Sequence, residues 1–562
     1  MTKRRIVSAA ATAALALLST TVTGSAQAAP TAPTEYTVVA EEGVTTAAAT
    51  EAIAAAGGSV VARNDAIGLF RVTSTRADFS AKVAESGTLI GANLRAPIGR
   101  TPRRTPRLDA GAQSVTAEVA ALPSSTVVTA ARAGSTAGLD PLDTRLWGLK
   151  MIGADRARSV EAGERGITVG VLDTGLDASN PDLAPNFSAS LSRNFAPDIP
   201  EDGPCEVASC LDPVGTDDGG HGTHVAGTVG AAANGFGISG VAPGVTLVEL
   251  KGGQDSGSFF LEPVVNALTY AGDAGLDVVN MSFYVDPWLY NCTANSADSP
   301  AEQAGQQATI AGMRRALEYA HSHGVTLVGA LGNNHEDLGS PRTDTSSPNF
   351  GGTPRPRRID NASCWDLPVE GPHVIGVSSV GPSAAKADYS NYGVEQISVA
   401  APGGFRADGY GTSSFNSVSN QILSSYPLKV LREENKVDSA GNVRSSYTSS
   451  VFKRCTTGGA CGYYTYLQGT SMAAPHASGV AALIASKYGT PDASRGGMTM
   501  DPDALERRLY ETAAQRSCPS PRLRTYTREG RSTEYNAYCS GDRSFNGFYG
   551  RGIVDAYASV TR

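Results

Sequence analysis

Ile167-Thr168-Val169-Gly170-Val171-Leu172-Asp173, followed at once by Thr174-Gly175, is a mainly apolar run that stops on a carboxylate. Short runs of this kind, apolar on both faces, are what a strand buried in a parallel sheet requires. Four more follow, at 246–250, 278–281, 325–331 and 374–377. Helical periodicity fills the intervals at 262–275 and 301–324. Alternating strands and helices predict a doubly wound α/β domain, with a mainly parallel sheet and helices on both faces. In such sheets the working residues gather beyond the carboxyl ends of the strands. Asp173, Ser282 and Asn333 each end or closely follow one of these runs.

Two further stretches carry chemistry. Leu467-Gln468-Gly469-Thr470-Ser471-Met472-Ala473-Ala474-Pro475-His476 places a serine between a small-residue turn and an apolar helical stretch. Pro475 fits a first helical turn, where backbone N–H groups lack helical partners. Those donors and the helix dipole favour an oxyanion beside Ser471. Taken alone, a capping serine explains the stretch equally well. Gly220-His221-Gly222-Thr223-His224-Val225-Ala226-Gly227 supplies a histidine between glycines, which suit an imidazole that must meet a substrate. No Glu accompanies the His221 and His224 pair as in a zinc-binding H-E-x-x-H helix, so His224 reads as structural. A serine hydroxyl needs a histidine to take its proton, and a carboxylate to fix the imidazole tautomer.

The chain resembles the subtilisin-like serine peptidases across roughly residues 140–562. Val171-Leu172-Asp173-Thr174-Gly175, His221-Gly222-Thr223-His224-Val225-Ala226-Gly227 and Gly469-Thr470-Ser471-Met472-Ala473-Ala474-Pro475-His476 look like that family's three motifs, in its order. Gly240-Val241-Ala242-Pro243, Ala400-Ala401-Pro402-Gly403 and Gly552-Ile553-Val554-Asp555-Ala556 extend the likeness. The resemblance implies Ser471 as nucleophile, His221 as general base and Asp173 as its orienter. It implies Asn333, in Leu331-Gly332-Asn333-Asn334, as the oxyanion side chain, and no cofactor for catalysis. Substrate-binding edges fall on Ser256-Gly257-Ser258-Phe259 and Ser282-Phe283-Tyr284, with Gly332 beside them. Phe283 and Tyr284 depart from the small Gly-rich turn common in the family, which implies a restricted P1 pocket of unnamed preference. A structural calcium ion is the one metal the resemblance suggests, on Asp182 and Asn234, with Asp140 or Asp143 adding a ligand.

The preceding chain reads as a leader. Lys3-Arg4-Arg5, an apolar stretch and Ala26-Gln27-Ala28 form an export signal over residues 1–28. Residues 29–98 predict a β-α-β-β-α-β unit, which the resemblance implies is an inhibitory propeptide. The Arg- and Pro-rich stretch 99–139 reads as a linker and processing region, with a peptidase domain over 140–562. The product would be a secreted, self-processed enzyme with protein or peptide substrates and its own propeptide as partner. A net charge of −8 and pI near 5.5 give no electrostatic footprint for nucleic acid, and no membrane contact is expected once the signal is removed.

Eight cysteines in an exported chain read as disulfides. Proximity pairs Cys205 with Cys210, Cys455 with Cys461 and Cys518 with Cys539, leaving Cys292 with Cys364, all in apparent loops. Two other functions fit the chain less well. An aspartic peptidase needs two Asp-Thr-Gly carboxylates and this chain carries one; a homodimer would supply the second but leave His221 and Ser471 unexplained. A catalytically inactive binding protein on the same fold would have no need of Asp173, His221, Asn333 and Ser471 together.

Overall fold

The structure is a computed structural model that describes residues 33–94, 140–199, 205–350, 352–492 and 497–562. The signal and linker segments expected at 1–28 and 99–139 lie outside the described residues.

Seven parallel strands form the central sheet: β1 (Thr168–Asp173), β2 (Arg193–Asn194), β3 (Thr246–Lys251), β4 (Val278–Met281), β5 (Thr326–Ala330), β6 (Val374–Val380) and β7 (Val399–Pro402). Their order is β7-β6-β5-β4-β1-β3-β2, so the sequence order reverses at β1. Register sets Asp173 at the end of β1 opposite Lys251, and Leu172 opposite Met281. The carboxyl ends of β1, β4 and β5 therefore open on one crevice, the place where this architecture gathers its chemistry. The five expected runs are all strands. β2 and β7 escaped the pattern because one is two residues long and the other is four residues ending in proline.

Helices cover both faces. α1 (His221–Gly230) and α4 (Thr470–Tyr488) are almost wholly buried on one side. α2 (Leu261–Ala274) and α3 (Pro300–Ser322) cover the other, where Val264, Leu268, Met313 and Leu317 join Leu172, Val279 and Leu327 in one core. α3 starts where its sequence says it should. Ser299 accepts the Glu302 N–H, Glu302 returns a bond to the Ser299 N–H, and Pro300 fills the first helical position.

Residues 34–94 form a separate four-stranded antiparallel sheet with two helices. Its strands are Thr34–Ala40, Gly58–Asn64, Leu69–Ser74 and Leu89–Leu94, and its helices are Thr46–Ala55 and Phe79–Ala84. Val38, Ile53, Phe70, Val72 and Phe79 make its own core. The unit packs on α2 and α3. The Asn93 amide donates to Thr309 Oγ1 at 2.8 Å, the Asn64 amide donates to Asn266 Oδ1 at 2.9 Å, and Arg315 donates to the Ala40 and Ile67 carbonyls.

The four disulfides are Cys205–Cys210, Cys292–Cys364, Cys455–Cys461 and Cys518–Cys539. Two are not loop staples, contrary to expectation. Cys292 and Cys364 face each other on paired two-residue strands, and Cys455 and Cys461 close a hairpin. No helix among the described residues is long and apolar enough to cross a membrane.

Candidate active site

Asp173 ends β1 fully buried, and its Oδ1 accepts the Thr174 N–H at 2.8 Å. His221 opens α1, and its Nδ1–H donates to the same Oδ1 at 2.7 Å. An ionised carboxylate only accepts, so this bond fixes the proton on Nδ1 and leaves Nε2 as the basic nitrogen. Asp217 holds the two elements in register, a role the sequence reading missed. Its Oδ1 accepts from Thr174 Oγ1 and the Gly220 N–H, and its Oδ2 accepts from Thr223. An Asp just ahead of a helix start is a recognisable capping signal.

The glycines beside His221 serve packing rather than substrate clearance. A side chain on Gly222 would collide with the Gly175 carbonyl, and one on Gly220, itself at φ 87°, would meet the Tyr426 ring. Both let α1 approach β1 closely. His224 is structural, as expected. Its buried Nε2 lies 3.1 and 3.2 Å from the Ile422 and Thr465 carbonyls, and burial pushes its pKa down to about 3.

Ser471 is the second residue of α4, so Pro475 sits in the second turn and not the first. The carbonyl that loses its helical donor to Pro475 is that of Ser471 itself. Ser282 Oγ supplies the missing bond at 3.1 Å, while Ser471 Oγ donates to the Ser282 carbonyl at 3.2 Å. Asn333 follows β5. Its Oδ1 accepts from both the N–H and the hydroxyl of Thr470, each at 2.9 Å, which turns its amide NH2 away from Thr470. Gly332, at φ 101°, must be glycine, because a Cβ there would strike the Asn391 amide.

His221, Asn333 and Ser471 line one cleft of about 550 Å³, together with Gly257, Ser282, Phe283 and Gly332. All the residues expected in the catalytic and substrate-binding sets therefore lie at or directly behind it. The two substrate edges are irregular segments, tied together where the Phe259 ring stacks on Phe283 at 4.1 Å between centroids and the Phe259 N–H donates to Asp286.

Asp366 also lines the cleft, and nothing in the sequence singled it out. It follows the strand carrying Cys364, and the Leu367 carbonyl next to it accepts the Val285 N–H, which joins this segment to the one carrying Phe283 and Tyr284. Its carboxyl is pushed well above the usual carboxylate range by burial, with Glu370 adding to the shift. Burial likewise raises Glu370 to about 8.

A model of the subtilase family matches residues 164–552. This chain belongs to the subtilase family. The subtilase is 29% identical to subtilisin DY of Bacillus licheniformis over 349 residues, covering 62% of this chain and 87% of that protein. It is 30% identical to fervidolysin of Fervidobacterium pennivorans over 359 residues, 62% of this chain and 39% of that longer protein. In fold, it superimposes on the epidermin leader peptide processing serine protease of Staphylococcus aureus with a TM-score of 0.59 at 19% identity, spanning 94% of this chain and 98% of that one. The subtilase is a serine-type endopeptidase that acts on peptide or protein substrates, and its family needs no cofactor for catalysis.

The side chains matched to a calcium ion do not fit one. Asp182 Oδ2 accepts from Tyr464 OH and the Ile238 N–H, and Asn234 Oδ1 accepts the Phe236 N–H. Asp140 is taken up by the N–H groups of Asn234 and Gly235, and Asp143 by Ser239 and Arg158. Of these side-chain oxygens, Asp182 Oδ1 alone is buried without a donor, so the side chains offer one free ligand toward the six to eight that calcium takes. Burial raises the Asp182 pKa to about 7.

Proposed function

We propose that the enzyme hydrolyses peptides through an acyl-enzyme on Ser471. His221 Nε2 takes the hydroxyl proton as Ser471 Oγ attacks the scissile carbonyl, then passes it to the departing amine. A water activated by the same nitrogen splits the ester. Asp173 keeps His221 in the Nδ1–H tautomer and stabilises the imidazolium. The Ser471 N–H, in the first turn of α4, and the Asn333 amide would hold the tetrahedral oxyanion, with the dipole of α4 adding to both. The carrying observation is the His221–Asp173 bond standing in the same cleft as Ser471 and Asn333. An inactive binding protein would gain nothing from that arrangement.

The 34–94 unit, folded around its own core and docked on α2 and α3, fits an inhibitory propeptide. With the Lys3-Arg4-Arg5 leader and four disulfides, this describes a secreted zymogen that processes itself. Intact mass of the secreted product tests it. Wild type should begin between residues 99 and 140, and Ser471→Ala should retain 34–94. Identical trimming of both would assign maturation to another protease.

A further inference from the structure

Asp366 is 3% exposed, and its carboxylate has no hydrogen bond or cation among the described residues. A buried carboxylate without a partner is costly, and such groups are ordinarily paired or hydrogen-bonded. Its close acidic neighbour among the described residues offers no relief. Glu370 uses Oε2 to accept the Asp366 backbone N–H at 2.5 Å, and its Oε1 is also buried without a donor. Asp286, the other acid lining the cleft, is already engaged by the Phe259 N–H and the Asn349 amide.

The place of Asp366 turns this deficit into a recognition device. Asp366 Oδ2 stands 3.4 Å from where a Cβ on Gly332 would lie, one residue before Asn333. Phe283 supplies an apolar wall in the same cleft, and the Cys292–Cys364 disulfide anchors the strand leading into Asp366. A side chain entering between Phe283 and Gly332 would pass apolar surface before meeting an unpartnered carboxyl, which an incoming cation would hold ionised. That suits a long hydrocarbon stem with a cationic head.

Resting on the reading of Ser471 as nucleophile, we infer that Asp366 selects substrates with a basic residue, Arg or Lys, on the amino side of the cleaved bond. Phe283 then contacts the stem, and Asp366 accepts hydrogen bonds from the guanidinium or ammonium group. A purely apolar side chain would leave the Asp366 carboxyl desolvated without a partner, so such substrates are disfavoured.

The test compares kcat/KM of the mature wild-type enzyme on peptides differing only at that position, as Arg, Lys, Leu, Phe or Glu, beside fluorophosphonate labelling of each preparation. The basic peptides should exceed Leu and Phe on the order of 100-fold, and Glu should be the poorest. Asp366→Asn should collapse the basic-to-apolar ratio, and Asp366→Glu should restore most of it. If Asp366→Asn fails to fold, Asp366→Ser replaces it, and the wild-type series alone still decides the substrate class. A labelled enzyme that prefers Leu or Phe overturns the inference, as does a ratio unchanged in Asp366→Asn. A wild type that takes no label and cleaves none of the peptides overturns the peptidase reading with it.

Discussion

Ser471 and Ser282 exchange two hydrogen bonds: the Ser471 hydroxyl donates to the Ser282 carbonyl, and the Ser282 hydroxyl donates to the Ser471 carbonyl. The exchange joins the start of α4 to the end of β4 and compensates for Pro475. Asn280 donates to Ser282 Oγ, and Ser478 donates to Asn280, so a short polar chain backs the nucleophile within the core. Because the Ser471 hydroxyl has a single proton, attack on the proposed mechanism requires it to turn from the Ser282 carbonyl to His221.

Ser282→Ala removes the side-chain donor that replaces the helical bond lost at Pro475. The buried Ser471 carbonyl is then left unsatisfied, at a cost of about 1–3 kcal/mol. Urea unfolding of the Ser471→Ala,Ser282→Ala form against Ser471→Ala alone should show that loss. An unchanged midpoint would mean that the carbonyl finds another donor.

Asn333→Ala should lower kcat by about 10²–10³ with little change in KM, because the amide is placed for charge that develops only in the transition state. That magnitude is carried over from subtilisin, a member of the same family. Asn333 Oδ1 also accepts from Thr470, so the variant's stability should be measured beside its kinetics. A rise in KM at constant kcat would contradict an oxyanion role.

Acid should destabilise the fold through His224, and His476 should add to this. Burial depresses their folded pKa values to about 3 and about 4, below the ordinary value of 6.5. The neutral rings therefore contribute stability in full above pH 6.5, which is lost as pH falls toward the folded values. For His224 alone the loss between pH 6.5 and 4.5 is about 2–3 kcal/mol. Denaturant titrations of Ser471→Ala at the two pH values should show it, and His224→Gln should have a shallower acid limb.

Chelation of divalent cations should leave Tm unchanged, because Tyr464, backbone N–H groups and Arg158 already engage the carboxylates at 140, 143 and 182. Tyr464→Phe deletes the donor to buried Asp182 and should cost about 1–3 kcal/mol. A marked fall in Tm with a chelator would show that calcium displaces these bonds.

How much the sequence disclosed followed from how local the signal was. The runs ending at Asp173 and Ala330 read directly as buried strands, because a strand apolar on both faces needs nothing but its own residues. Asp173, His221 and Ser471 were legible through their neighbours, which must let helices meet strands closely. Pro475 was placed a turn too early because the helix start depends on Gly469 and on bonds to Ser282, over a hundred residues away. Asn234 carries the residue type of a calcium ligand, but Tyr464 reaches that loop only through the fold. Asp366 was silent for the same reason. A lone Asp after Cys-Trp has no pattern until Gly332 and Phe283 are beside it.

The measurement that tests the central claim most directly is fluorophosphonate labelling of the mature protein, with the adduct located by peptide mass mapping. The predicted result is one adduct, on Ser471, with labelling greatly slowed in His221→Ala. An adduct on another residue, or equal labelling with and without His221, would contradict the assignment of Ser471 and His221.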